Sequence, residues 1–266
     1  EEILRTISEE LSGWDNWNIS QALSEATGDP ADSIFAHWKN ALSEGYARET
    51  ASLQEHLRAG EIIEPKGFSN LHPTYSPDGR RVAYLSNKGQ DYNLLTLYVR
   101  DLASGQTARV PVDRFEQAGS GYSCALGYAL VRGVNGTFDW HPNGDRILYA
   151  RMDETAEGYR YSDIYEIDLE TEEKRRLTRH RRASAPVYAP DGESFVFIAQ
   201  ADGTSNLYRA DGDGSGIQPL TDLPGGGQVT DPAWHPSGEW IYFARTTGGT
   251  RDIYRIRPDG SEHEPV

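Results

Sequence analysis

The chain has 266 residues, long enough to bury a core without staples, and its one cysteine, Cys124, excludes an internal disulfide framework. Lysine and arginine number 26 against 41 aspartates and glutamates, a formal charge of −15, which disfavours nonspecific binding to nucleic acid or to an anionic membrane. No apolar run approaches the roughly 18 residues of a membrane span, and the opening Glu1-Glu2-Ile3-Leu4 has neither the basic nor the apolar region of a signal peptide.

Residues 1–60 read as a helical segment. Ile3, Leu4, Ile7 and Leu11 recur at helical spacing. A second short helix is expected from Ile19 to Ala26, with Gly28 as its stop. A third, capped by Asp32 or Ser33, carries Phe35, Trp38, Leu42 and Tyr46 on one face, and Gly60 marks its end. That face is expected to pack on a neighbour.

From residue 61 the texture changes. Glycine, proline, aromatic and β-branched residues rise, and alternation replaces the helical period. Tyr75-Ser76-Pro77-Asp78-Gly79 leads into an apolar run, Val82 to Leu85. The pattern returns at Trp140-His141-Pro142-Asn143-Gly144, Tyr188-Ala189-Pro190-Asp191-Gly192 and Trp234-His235-Pro236-Ser237-Gly238. The four prolines lie 65, 48 and 46 positions apart. The last two spacings fit one four-stranded propeller blade each. The longer first gap holds an insertion around Pro111 to Val134, rich in glycine and tyrosine.

Each repeat shows four strand signals. The glycine after each turn proline supplies the positive φ of a tight hairpin. A third strand follows as Leu97-Tyr98, Ile164-Tyr165, Leu207-Tyr208 and Ile253-Tyr254, and a short polar fourth strand closes the unit. The second strands are expected to be central and buried, the fourth to be outer edges guarded by charge. The expected fold is mainly β: a propeller with four recognisable four-stranded blades over residues 61–266, preceded by the helical segment. The chain stops at Glu262-His263-Glu264-Pro265-Val266, inside its expected fourth strand. The last blade is thus expected to be incomplete and the four blades an arc of a larger propeller, with a closed four-blade ring as the alternative.

The repeated Pro-Asp-Gly turn, the apolar strand, the Leu/Ile-Tyr pair and the Leu-Thr ending resemble TolB-like (WD40-like) β-propeller repeats. The join from Gly60 to Tyr75, with the preceding Ala22 to Gly28, Trp38 and Tyr46, looks like bacterial proteins in which a gluzincin-type metallopeptidase domain precedes such a propeller. Residues 1–60 then correspond to the tail of that upstream domain. The chain departs from the peptidase pattern: it has no His-Glu-x-x-His, so no peptidase residue is carried onto it. The resemblance implies a bacterial cell-envelope or periplasmic setting and recognition of a protein or peptide.

With neither His-Glu-x-x-His nor Gly-x-Ser-x-Gly, this chain is expected to be non-catalytic and to need no cofactor. Ligand contacts are expected at the channel mouth. Aligning the repeats places His72, Thr137, Ala185 and Asp231 at one inner-strand position and Thr74, Asp139, Val187 and Ala233 at the next in phase. Of these His72, Asp139 and Asp231 carry the chemistry for contact. Arg179, Arg181 and Arg182 join them, in a basic run that can fork a carboxylate. A solvated channel lining and a solvated loop are the plainer readings of these two groups. No metal is expected. Asp211, Asp213, Ser215 and Asp222 follow a calcium-loop spacing, against which stands an ordinary Asp/Gly hairpin. His141 and His235 hold equivalent turn positions and read as structural. The partner is expected to be a protein or peptide, with no nucleic acid and no membrane insertion. The alternative is a substrate-gating propeller of a peptidase whose catalytic domain is absent from this chain, upstream in a metallopeptidase or downstream in a prolyl-oligopeptidase-like enzyme. A purely structural subunit is the third reading.

Overall fold

In the computed structural model the described residues are 2–12, 18–54, 56–58, 60–88, 95–112, 134–154 and 157–266. The insertion expected around Pro111 to Val134 lies, from 113 to 133, outside them. The chain divides into two compact units, Glu1–Ile63 and Glu64–Val266.

The first unit is helical: α1 (Glu2–Ser12), α2 (Ile19–Thr27) and α3 (Ala31–Gln54). Asn18 caps α2 by accepting from the Ser20 N–H at 3.0 Å. Gly28 ends it in the left-handed region at φ 81, and its N–H reaches the Ser24 carbonyl. Two expectations are corrected here. The third helix starts at Ala31, where the Pro30 carbonyl takes the first helical bonds, so Asp32 and Ser33 lie inside it and are not caps. It ends at Gln54, before the glycine expected to stop it. Phe35, Trp38 and Tyr46 on its apolar face are exposed. No described helix is long and apolar enough to cross a membrane.

The second unit holds four antiparallel sheets of four strands each. The first comprises β1 (Asn70–Tyr75), β2 (Arg81–Ser86), β3 (Thr96–Asp101) and β4 (Thr107–Arg109). The second comprises β5 (Val134–Trp140), β6 (Arg146–Glu154), β7 (Arg160–Asp168) and β8 (Lys174–Arg176). The third comprises β9 (Ala183–Tyr188), β10 (Ser194–Ala201), β11 (Thr204–Asp211) and β12 (Gln218–Pro219). The fourth comprises β13 (Gln228–Trp234), β14 (Ile241–Thr247), β15 (Thr250–Ile256) and β16 (Glu264–Pro265). Strands pair in chain order within every sheet. This is the expected propeller architecture. Gly79, Gly144, Gly192 and Gly238 close the first hairpins with φ of 69, 75, 74 and 74, which an L side chain would strain.

The cores form between consecutive sheets. Because side chains alternate across a strand, β6 turns Ile147 and Tyr149 towards the first sheet and Leu148 and Ala150 towards the third. In the same way β10 turns Phe195 and Phe197 towards the second sheet, and Val196 and Ile198 towards the fourth. The central strands are therefore apolar on both faces, which is why they read as unbroken apolar runs. On the far face of the first sheet Val82, Tyr84 and Tyr98 form a separate cluster. Lys88 lies over both tyrosine rings there and pairs with Glu64 at 2.5 Å. The Tyr84 hydroxyl also donates to Glu64, at 2.7 Å. These partners hold the Glu64 carboxyl down at about 2, against its burial.

Three of the four innermost strands carry the same irregularity. In β1, β9 and β13 one extra residue is inserted against the neighbour, between Leu71 and Thr74, Ser184 and Val187, and Thr230 and Ala233. The bulged pair is His72-Pro73, Ala185-Pro186 and Asp231-Pro232. The first residue of each is left-handed, with φ of 52, 48 and 53. Proline disfavours the right-handed helical region for the residue before it, and the fold places that residue in the left-handed one. The conformation costs an L residue about 1–2 kcal/mol. Ala185→Gly is therefore expected to leave thermal stability within about 0.5 kcal/mol of the parent, whereas Ala183→Gly, in regular strand of the same β9, is expected to cost about 1 kcal/mol or more. Equal losses at the two sites in a denaturant titration would contradict the bulge.

Candidate functional site

Each sheet has two ends. The first-to-second and third-to-fourth turns lie at one. The ends of the second and fourth strands and the starts of the third strands lie at the other, called here the rim end. The N-terminal halves of β1, β5, β9 and β13, with the bulges of β1, β9 and β13, also lie towards the rim end.

The ladder register puts Thr74, Asp139, Val187 and Ala233 at equivalent positions, opposite Ala83, Leu148, Val196 and Tyr242. His72, Ala185 and Asp231 are the bulge residues, and Thr137 follows Gly136, which takes φ 93 in the irregular part of β5. His72 is exposed. Asp231 is exposed and engaged: Thr230 Oγ1 donates to it at 2.8 Å, and Arg251 from the β14–β15 hairpin forms an ion pair with it. An exposed pair of this kind contributes little to stability.

Asp139 is a different case. Its carboxylate accepts the Tyr188 N–H at 2.9 Å and so ties the innermost strand of the second sheet to that of the third. Trp140 makes the matching tie backwards, its indole N–H donating to the Thr74 carbonyl at 3.2 Å. Burial pushes the Asp139 carboxyl up to about 6, against the Tyr188 and Trp140 amides that favour its ionised form. Of the six residues expected at the mouth, this one is spent on joining sheets.

Among the described residues of the rim end, the arginine loop is held by a network of hydrogen bonds. It links β8 to β9, and Arg179, His180, Arg181 and Arg182 are all exposed. The loop hangs on one carboxylate, that of Asp163, which is fully buried. Asp163 accepts the His180 N–H at 2.8 Å, the Arg181 N–H at 3.1 Å and the Thr178 hydroxyl at 2.8 Å. It also pairs with Arg176 at 2.6 Å. Thr178 Oγ1 in turn accepts the Ile164 N–H at 2.9 Å. Four donors on one buried anion satisfy its oxygens and fix the loop. His180 and Arg182 are held at φ 55 and 49. The His180 ring lies 5.3 Å from that of Tyr161, and the Arg182 guanidinium 5.6 Å from the same ring.

Repeat alignment alone does not mark Asp163 or Tyr161 as site residues. The signal for Asp163 was present. The third sheet repeats the device with Asn206, which accepts from the Thr221 hydroxyl at 2.9 Å and the Leu223 N–H at 2.8 Å. A short polar residue before Leu/Ile-Tyr, matched to a Leu-Thr ending, encodes it in both repeats.

The calcium-spaced residues separate. Asp211, Asp213 and Ser215 form the tight turn between β11 and β12, where the Ser215 N–H donates to Asp213 at 2.8 Å. Ser215 holds the Asp213 carboxyl below its ordinary value. Asp222 adjoins Leu223, which bonds to Asn206, and Asn206 lies five residues along β11 from Asp211, about 16 Å at strand spacing. No group of three or more metal-ligating side chains occurs among the described residues. His141 and His235 cap their turns, each Nδ1 accepting the N–H two residues on.

Two further features lie outside the expected site. Between the second and third sheets the buried Glu166 accepts from the Tyr188 hydroxyl at 2.5 Å and pairs with Arg146 and Arg175. A cavity of about 340 Å³ between β4 and the end of β7 is lined by Arg81, Asp101, Arg109 and Asp168 among others, and no residue expected at the mouth lines it.

The family model described as the TolB beta propeller domain matches residues 137–266. TolB of Acinetobacter baumannii superposes with a TM-score of 0.55 at 21% identity, over 74% of this chain and 43% of that one. A protein assigned as TolB from Agrobacterium tumefaciens gives 0.58 at 20% identity, over 75% and 66%. An uncharacterised protein of Agrobacterium fabrum is 30% identical over 84 residues, 31% of this chain and 27% of its own length. The chain thus spans about a quarter of that curated relative and less than two thirds of either structure. At one-fifth identity the structural likeness is one of fold, and the fold is a TolB-like propeller.

The Asp139 environment gives a pH test. Its carboxyl sits at about 6 in the fold against an ordinary 3.8, so between those values the folded chain keeps a proton that the unfolded chain has released. The stability from this group is full below about pH 4 and is lost as pH rises through 6, by about 3 kcal/mol in all. Asp139→Asn keeps an acceptor for the Tyr188 amide and is expected to remove this component. Urea titrations from pH 4 to 7 that show the same slope in both proteins would contradict the assignment.

Proposed function

We propose that this chain is a non-catalytic recognition module that binds a protein or peptide at its rim end, in a bacterial cell-envelope protein. The observation that carries the reading is the arginine loop. Exposed cationic side chains stand on a backbone locked by a buried carboxylate, at the same end as His72 and Asp231. A loop whose backbone is already fixed loses no backbone freedom on binding, and that preorganisation favours affinity.

The distribution of perturbed acids supports the same reading. Asp139 is bound to the next sheet's backbone, and Glu64 is bound to Lys88 and Tyr84. Bonds to its partners lower Glu64, and burial raises Asp139 against its bonds; both carboxylates are engaged inside the fold, where a catalytic acid or base would present its group to a cleft. The cell-envelope setting rests on the resemblance to TolB, and fold likeness alone does not carry function. The rival reading is a substrate-gating propeller of a peptidase, either a metallopeptidase, for which the resemblance of residues 1–60 and the join to Tyr75 speaks, or a prolyl-oligopeptidase-like enzyme, for which only likeness of propellers speaks.

Selection of peptides from an unbiased displayed library against the full chain tests the proposal. Selected peptides are expected to bind at micromolar Kd, to compete with one another, and to be recovered uncleaved after prolonged incubation. Cleaved peptides would overturn the non-catalytic reading. Peptides that all bind the turn end, shown by protection of the Pro-x-Gly turns in hydrogen exchange, would overturn the rim assignment.

A further inference from the structure

Resting on the rim reading, we infer the chemistry of the partner: the Arg179–Arg182 loop accepts a short run of carboxylates on an acidic polypeptide segment. Among the described residues neither Arg179 nor Arg181 has an acidic ion-pair partner, although the chain carries 41 acidic residues. Arg176, two residues before Thr178, shows the opposite arrangement, with its guanidinium spent on Asp163. The loop thus separates an arginine used internally from arginines turned out.

The backbone tells the same story. Two consecutive N–H groups, of His180 and Arg181, converge on Asp163. Two residues, His180 and Arg182, are kept in the left-handed region. Strain of this kind persists only where surrounding bonds impose it, and it gathers at ligand clamps. Here it fixes the directions in which the side chains leave the loop. Tyr161 then steadies the His180 ring and the Arg182 guanidinium from one side.

Guanidinium forks match carboxylates two bonds at a time, so two arginines leaving one fixed backbone favour a ligand that carries more than one carboxylate. The net charge of −15 narrows the choice. A long polyanion would meet repulsion from most of the surface, whereas a short acidic run needs only the loop. Tyr159 and Tyr161, at the neighbouring β6–β7 hairpin, offer aromatic surface for the aliphatic part of such a segment.

The probe is a fluorescein-labelled peptide of six glutamates, capped at both ends, read by fluorescence anisotropy against the full chain. A six-glutamine peptide and an acidic oligosaccharide of equal charge serve beside it. The glutamate peptide is expected to bind at least about tenfold more tightly than the glutamine peptide and to weaken as salt rises. Arg179→Ala with Arg181→Ala is expected to weaken it at least about tenfold. Arg179→Lys with Arg181→Lys, which keeps the charge and loses the fork, is expected to weaken it about threefold. Arg80→Ala, exposed at the turn end, is expected to change nothing. Absence of binding at about 1 mM, or double-alanine binding equal to that of Arg80→Ala, would overturn the inference. Tighter binding of the oligosaccharide, lost in the same double variant, would overturn the polypeptide as partner. Library-selected peptides that still bind the double-alanine variant would leave the rim reading standing while this inference falls.

Discussion

The structure depends on one constraint: a four-stranded sheet that is apolar on both faces has to be covered on both. Val196 and Phe197, adjacent in β10, cannot share a core, because alternation sends them to opposite faces. Each sheet therefore recruits the next, and the chain solves the same packing problem at every repeat. At roughly 25 cal/mol per Å² of apolar surface, burial of the phenylalanines and isoleucines of these strands is the main term holding consecutive sheets together.

Polar groups enter this scheme as fasteners. Asp139 and Trp140 join neighbouring innermost strands through backbone groups, one forwards and one backwards. Glu166 sits between the second and third sheets with two arginines and a tyrosine. A buried carboxylate without such partners would cost several kcal/mol. With them it fixes register where apolar contact is indifferent to small slides. Asp163 applies the same chemistry at the edge and converts a surface loop into a rigid one. Fold and candidate site thus share a device, and the site is where its product faces solvent.

The repeat was legible because turn chemistry is local. A glycine at φ near 70, a proline before it and an aromatic before that leave a signature that needs no knowledge of neighbours. The alignment of Thr74, Asp139, Val187 and Ala233 followed from it and coincides with the ladder register. What the sequence hid was the use of each side chain. Asp139 reads as a channel carboxylate, and only the sheet-to-sheet approach shows that Tyr188 claims it. The calcium spacing of Asp211 to Asp222 looks continuous along the chain, yet β12 carries its last member to the opposite end of β11. The left-handed residues before Pro73, Pro186 and Pro232 were also invisible, since proline alone predicts extended backbone there. The helix boundaries at Ala31 and Gln54 differ for a smaller reason: Pro30 opens α3 with its carbonyl, which displaces the cap expected from Asp32 or Ser33.

The central claim is that a buried Asp163 carboxylate holds the arginine loop rigid at the rim. Native-state hydrogen exchange at the backbone amides of His180 and Arg181 tests it most directly. Both residues are exposed, so unbonded amides there would exchange at the rate of a free loop. Both are expected to be protected about as strongly as the Ile164 amide, which is tied into the same network. Exchange at unprotected rates, with Ile164 still protected, would contradict it.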